Sequence, residues 1–439
     1  MAGPPSPAGR LGALLTRVAA RLTTPFAYLA VLGGLQMVVI WTTRIRYPAW
    51  LVLLTALAWL TLLLALALRP GHWRLKLGGA CLLGVLSAFV PVIAAIAYRA
   101  RAGLTTEHDG LLQLESAVSR LLNGQPIYGV DWSNTPMAAY HWDLTPGGNP
   151  ALHHLAYFPL AVLVGVPFRL LTDALGTGFD YRLVLLSFAV LGLLSILALP
   201  VGLDRRFMLV CAVFCSPLVT LYLWPGRNDI EFLAVILLAI AVLVRGRLLV
   251  AAAVLGAAVA LKPFAWPAIP FLLLVLFARW RQDRDTRALL MSSLALAVIP
   301  VTTIVPFLVA NPRGFWTDTV LYASGGIPDA YPVAGYGFGA LLYATGLIRH
   351  RTDGFPFVLF QLAVMAPVLL VGARAFLRRP TIGRWMGGYA CLLFVFMFFA
   401  RFFNDNYAAV VITLLLCVRP VGDRLLIPAR GRPAEQLAA

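Results

Sequence analysis

"LAYFPLAVLVGVPFRLLT", residues 155–172, is the stretch on which the fold turns. It is apolar enough to enter a bilayer, but Pro159 and Pro167 each remove a backbone donor and interrupt a continuous helix. It therefore reads as a re-entrant or interfacial segment rather than a span. Twelve other apolar runs lie around it, at about 26–43, 49–68, 77–98, 181–202, 207–224, 229–244, 248–261, 264–279, 288–309, 355–376, 385–400 and 405–418. With 155–172 not spanning, these alternate across the membrane and both termini fall on one side. The segments on that side hold 21 Lys and Arg, from Arg10 through Arg205, Arg279 and Arg384 to Arg432, against five acids. The opposite segments hold 11 bases and 11 acids. That asymmetry is the positive-inside bias, so both termini are expected in the cytoplasm. Were 155–172 to span, Arg205, Arg279 and Arg378 would face outward.

Composition leads to the same class. The chain has 439 residues, 61% of them hydrophobic and 12% charged, with a mean hydropathy of +0.85. A soluble core of this size needs a more polar skin, so the bilayer is the natural solvent. The net charge of +17 sits on the inner segments, which argues against nucleic acid as a partner. The first apolar run is followed at once by another without a small-residue cleavage site, so it is a membrane helix rather than a removable leader. All five cysteines lie in apolar runs; Cys211 and Cys215 share a helix face, which is packing in the absence of nearby His or further Cys.

The expected architecture is all-α: a polytopic bundle of about 12 spans plus one re-entrant or interfacial segment, forming a single membrane domain. Residues 1–98 are N-terminal helices, 99–180 a first outer loop with amphipathic and re-entrant helices, and 181–309 central helices. Residues 310–354 form a second outer loop, 355–418 C-terminal helices, and 419–439 a cytoplasmic tail. No internal repeat is evident.

The polar chemistry gathers on the outer side. In "HDGLLQLESAVSRLLNGQPIYGVDW", 108–132, the residues Asp109, Gln113, Ser116 and Arg120 share one helix face, and Leu111, Leu114, Val118 and Leu122 cover much of the rest. Such a helix is expected to lie on the membrane surface. Asp109 opens it, either as a cap or as a general base that takes a proton from a hydroxyl. Glu107 and His108 stand beside it. "LWPGRNDIEF", 223–232, is either a capped helix start or an anion site, with Arg227 for the anion and Asn228 or Asp229 for substrate hydroxyls. In "ALKPFAWP", 260–267, Lys262 lies between two apolar runs, where a cation either snorkels or has a partner or a function. "RFFNDNY", 401–407, places Arg401, Asn404 and Asp405 on the last outer turn. Trp132, Tyr140, Trp142, Tyr157 and Trp224 either stack on sugar faces or anchor at the interface. His141, His153 and His154 lack metal-ligand spacing. There is no phosphate loop, dinucleotide fingerprint or nucleophile elbow.

The order Asp109, Ala117, Leu121, Gly124, Tyr128, then "AYFPL", "GRND" and "ALKPF", resembles the GT-C superfamily of integral-membrane glycosyltransferases. The resemblance, over roughly 105–275, is to the actinobacterial branch of polyprenyl-phosphate-mannose-dependent mannosyltransferases and arabinofuranosyltransferase-like proteins. It implies inverting transfer of a sugar from a polyprenyl-phosphate donor to a cell-envelope glycan or glycolipid acceptor, on the outer face of the plasma membrane, with Asp109 as the base. Arg227, Lys262 and Arg401 are then candidates for the donor phosphate, and His108, Gln113, Tyr157, Asn228, Asp229, Asn404 and Asp405 for substrate. No cofactor is called for, and a divalent metal is left open. The pattern departs at Arg227, where an amide is expected, and in the three apolar runs that precede the first loop. A transporter or lipid flippase is the alternative; missing repeats and polar residues gathered on one face speak against it.

Overall fold

A computed structural model describes residues 23–42, 48–104, 107–140, 144–145 and 148–427. It is mostly helical, so the all-α expectation holds. Among the described residues, six helices are long and apolar enough to cross a membrane: Pro25–Thr42, Ala49–Leu68, Trp73–Ala102, Pro263–Asp283, Thr286–Ala310 and Phe357–Arg378. Their outward faces are leucine and valine stripes at helical spacing. Leu53, Leu57, Leu60 and Leu64 are exposed on one helix, and Leu290, Leu294, Val298, Val301 and Val305 on another. Apolar stripes of that length find cover in lipid.

The remaining expected spans fold into helices of fewer than 18 residues. Arg182–Ala198, Leu248–Leu261 and Ile382–Phe398 have 17, 14 and 17 residues. Leu203–Phe214 and Pro217–Leu223 are bent by 43° about Ser216 and Pro217. Residues 155–172 form no single helix of span length. Their two pieces, Pro159–Leu163 and Val166–Ala174, break at Val164 and Gly165 and pack against Asp109–Leu122. At 1.5 Å per residue neither piece approaches the ~30 Å of a hydrocarbon core.

The central helix Asp229–Leu243 is buried along its length, between Arg182–Ala198 and Leu248–Leu261. Its N-terminus therefore delivers Asn228, Asp229 and Glu231 into the protein rather than to water. The neighbouring helix Leu248–Leu261 stops at Lys262, because Pro263 cannot donate to the ladder, and a six-residue 3₁₀ turn, Pro263–Ala268, follows. A parallel pair of two-residue strands, Ala334–Gly335 and Phe402–Phe403, ties the second loop to the turn before the last helix, Asp405–Val421.

One expectation is corrected here. The Asp109–Leu122 helix is not seated on a surface: Leu111, Leu114, Ala117 and Val118 are fully buried in protein, and of its leucines Leu122 alone, at 40%, is exposed. Periodicity identifies an apolar face but not what covers it. Here the two pieces of 155–172 do.

Candidate active site

The backbone N–H of His108 donates to the carbonyl of Pro225 at 2.7 Å, which fastens the start of the Asp109 helix to the Pro-Gly-Arg-Asn turn. Gly226 makes that contact possible. Its φ is +97°, and a Cβ there would lie 2.1 Å from Leu111 Cδ1. The cap is His108 rather than Asp109. The Gly110 N–H points at His108 Nδ1 (3.1 Å) and Asp109 Oδ1 (2.7 Å) together. Burial, the largest influence, holds the His108 imidazole below the ordinary histidine range. Nδ1 is then an acceptor, and its 3.0 Å approach to Asp109 is not an ion pair. Asp109, 9% exposed, sits at the helix N-terminus, where the dipole favours a negative charge.

Near it lies a layer of paired ions. Lys262 Nζ donates to Asp229 Oδ1 at 2.5 Å and to Asn228 Oδ1 at 3.0 Å, so it is a paired ammonium rather than a snorkelling one. Asn406 holds the second oxygen of Asp229 at 2.5 Å. Arg227 uses one nitrogen, Nη1, for both Asp405 (2.8 Å) and Asn406 (2.6 Å). Glu231 accepts from Tyr181 (2.7 Å) and Asn228 (3.2 Å). Polar groups at such depth persist only when paired in this way.

The two halves lie near one another. The charges acting on the His108 ring are Asp109, Arg227, Asp229 and Lys262. Tyr157 stands between them. A Cβ at Gly110 would fall 1.9 Å from its hydroxyl, so only glycine lets that oxygen reach the helix start. Burial, then Asp109, Asp229 and Glu231, push the Tyr157 hydroxyl far above its ordinary range, so it is a donor near neutral pH. Asn404 donates to the hydroxyl of Tyr331 at 3.4 Å, and Tyr331 in turn stacks on Phe402 with centroids 4.1 Å apart.

Several expected members lie elsewhere. Gln113 spends its amide on the carbonyls of Ala151 (2.8 Å) and His154 (2.9 Å), and so braces the first loop. Arg401, 1% exposed, donates to the carbonyls of Tyr331, Arg351 (2.8 Å) and Asp353 (2.7 Å). It clamps the second loop and is not joined to Arg227 and Lys262. Trp132 is wholly buried under Arg120, where it has no sugar to meet. His141, Trp142 and Asp143 lie outside the described residues.

Two clusters escape a reading by motif. Glu107 meets Arg182 (3.4 Å), Arg182 grips Asp180 (2.7 Å), and Arg99 bridges Asp180 (3.1 Å) and Glu115 (2.7 Å). This buried network sets the Asp109 helix against the two helices that flank it. Their one sequence signal is that charged residues stand at the ends of apolar runs. Secondly, His154 reaches Asp318 at 3.0 Å through Nδ1 and Asp329 at 2.8 Å through Nε2, linking the first and second long loops. Among the described residues, no group of three His, Cys, Asp or Glu is arranged to hold a metal ion.

The His154 bridge carries a pH prediction. Two carboxylates need two donors, which an imidazole supplies only when protonated. Burial opposes that charge, but the hydrogen bonds to Asp318 and Asp329 outweigh it and raise the pKa above the ordinary value. A raised folded pKa means that the bridge contributes fully below the unfolded value and fades as pH climbs through the folded one. Hydrogen exchange across 317–331 should therefore quicken from pH 6 to pH 9, and His154→Gln should be fast at both. An exchange rate no faster at pH 9, after correction for intrinsic chemistry, would contradict a charged bridge.

No curated protein and no solved structure matches the chain. The model of glycosyltransferase family 87 does, over residues 155–400, a range that holds Tyr157, the Arg227–Asp229 turn, Lys262 and the second loop. With more than half of its length matched, the chain belongs to glycosyltransferase family 87, a membrane glycosyltransferase of the GT-C type.

Proposed function

We propose that this transferase moves a mannosyl or similar glycosyl group from a polyprenyl-phosphate donor to a glycan or glycolipid of the cell envelope. One observation supports the reading: a carboxylate at a helix start, Asp109, and two cations, Arg227 and Lys262, lie close enough to act on the same His108 ring. In the step, the acceptor hydroxyl oxygen attacks the anomeric carbon while the bond from that carbon to the phosphate oxygen breaks. The hydroxyl proton passes to Asp109, and the bonding electrons leave with polyprenyl phosphate. A single displacement inverts the anomeric centre. Arg227 and Lys262 stabilise the departing phosphate as its charge grows. Arg227 bonds through Nη1 alone among the described residues, which leaves Nη2 and Nε for phosphate oxygens. Arg401 is left out of this pair, since its donors are taken by carbonyls. Tyr157, Asn228 and Asn404 are the donors and acceptors for sugar hydroxyls. Family membership favours this reading over a transporter or flippase.

The test is turnover by purified protein with mannosyl, arabinofuranosyl and glucosyl polyprenyl phosphates, and with nucleotide sugars as the contrast. Release of polyprenyl phosphate with one of the first three supports the proposal; turnover with nucleotide sugars alone refutes it.

We place the site on the outer face of the plasma membrane, with both termini cytoplasmic, on the strength of the arginine distribution. Single cysteines at the exposed positions Asn134 and Leu347, in a background lacking the exposed Cys391, should react with an impermeant maleimide in intact cells. A cysteine at Asp283 should not. The reverse pattern would overturn the orientation.

A further inference from the structure

A cavity of about 1000 Å³ lies away from the candidate active site. It is a groove between Phe357–Arg378, Ile382–Phe398 and the end of Asp405–Val421, with the start of Leu203–Phe214 at its rim. Asp405, at the other end of the last helix, belongs to the candidate active site. Its 17 residues, at about 1.5 Å each, set the groove ~25 Å away. The two sites therefore occupy opposite faces of the membrane domain.

The groove has two kinds of wall. Arg205, Arg384 and Arg419 line it with one acid, Asp423, and its apolar lining includes Val368, Val371 and Val418. Neither Arg205 nor Arg384 has a carboxylate partner among the described residues. Arg384 donates instead to the carbonyl of Ala375 at 2.6 Å, which turns its guanidinium along the groove wall. Gly387 keeps the floor low: a Cβ there would meet nothing nearer than the Val418 methyls at 3.8 Å. A rim on which Arg205 and Arg384 have no carboxylate partner among the described residues, beside an apolar lining and within reach of a bilayer, is complementary to a molecule with an anionic head and a hydrocarbon tail.

We propose that this groove is a binding site for an anionic phospholipid, with its phosphate on Arg205, Arg384 and Arg419 and an acyl chain along Val368, Val371 and Gly387. The inference rests on the protein lying in a bilayer and not on the identity of its sugar donor. It makes the lipid a component of the folded protein, bound where the three helices leave a gap that side chains do not fill.

The test uses the full chain, delipidated in an uncharged detergent and titrated with dioleoylphosphatidylglycerol, dioleoylphosphatidylcholine or inorganic phosphate. Native mass spectrometry counts the bound molecules, and the thermal midpoint is followed in parallel. Phosphatidylglycerol should be retained at one site and raise the midpoint, phosphatidylcholine should bind at least tenfold more weakly, and phosphate should do neither. The double variant Arg205→Gln/Arg384→Gln should weaken retention at least tenfold. Gly387→Leu should block it by filling the slot while leaving the protein folded, because the position has room for a side chain. Several results overturn the proposal. Equal retention of both lipids would make the contact unselective. Retention indifferent to both variants would place the lipid elsewhere. Phosphate acting as well as the lipid would reduce the site to an anion site. No lipid bound to the full chain would leave the groove without this ligand.

Discussion

Asp109→Asn is expected to lower turnover by ~10²-fold or more while donor binding survives, because general-base catalysis contributes at about that level. The substitution keeps the shape of the side chain. It also keeps the Oδ1 acceptor that takes the Gly110 N–H at 2.7 Å, and His108 still supplies the cap. The stability cost should therefore stay within ~1 kcal/mol. An Asn variant that folds, binds donor and transfers sugar at the wild-type rate would leave Asp109 as a helix-terminal charge alone. Glu107 could not inherit the role as it stands, since it is buried against Arg182 at 3.4 Å. Asp229 is taken by Lys262 and Asn406, and Asp405 by Arg227, so either would have to break an ion pair to act.

Lys262→Met has the second large effect, and it is twofold. Removing the ammonium strips a cation from the leaving phosphate, but it also leaves the buried Asp229 with Asn406 as its one remaining side-chain hydrogen bond among the described residues. A buried carboxylate that loses its partner costs roughly 3–5 kcal/mol. The single variant should therefore lose both stability and turnover, and would not by itself separate the two roles. Lys262→Met/Asp229→Asn does. Neutralising the pair together should restore most of the thermal midpoint while turnover stays at least tenfold down. Recovery of turnover along with stability would show that Lys262 serves only to hold Asp229.

What could be read from the sequence was local. A glycine before Arg-Asn-Asp, a lysine before a proline, and an aspartate at the head of an amphipathic helix each announce a turn, a break or a helix start. In the structure these three announcements meet at one place. The partners across space could not be read. Nothing in "RFFNDNY" shows that Arg401 will be consumed by three carbonyls of the second loop, because a carbonyl acceptor exists at every residue. Likewise Asp318 and Asp329 are ordinary loop carboxylates until His154 is brought between them. The helix that carries Asp109 shows the same limit. Its periodicity is plain, yet Leu111 and Leu114 face protein instead of lipid, since 155–172 folds back over them. Span counting meets a related limit: an apolar run reports burial, and a helix of 14 or 17 residues between other helices is as buried as a longer one in lipid.

The central claim is that the base and the two cations serve one substrate at one site. The most direct measurement is a structure of the protein with a non-transferable polyprenyl-phosphonate sugar. The account requires the phosphorus beside Arg227 and Lys262, and the anomeric carbon within one acceptor oxygen's reach of Asp109. Donor density found instead away from all three residues, with its phosphonate on the Arg205, Arg384 and Arg419 rim, would contradict it.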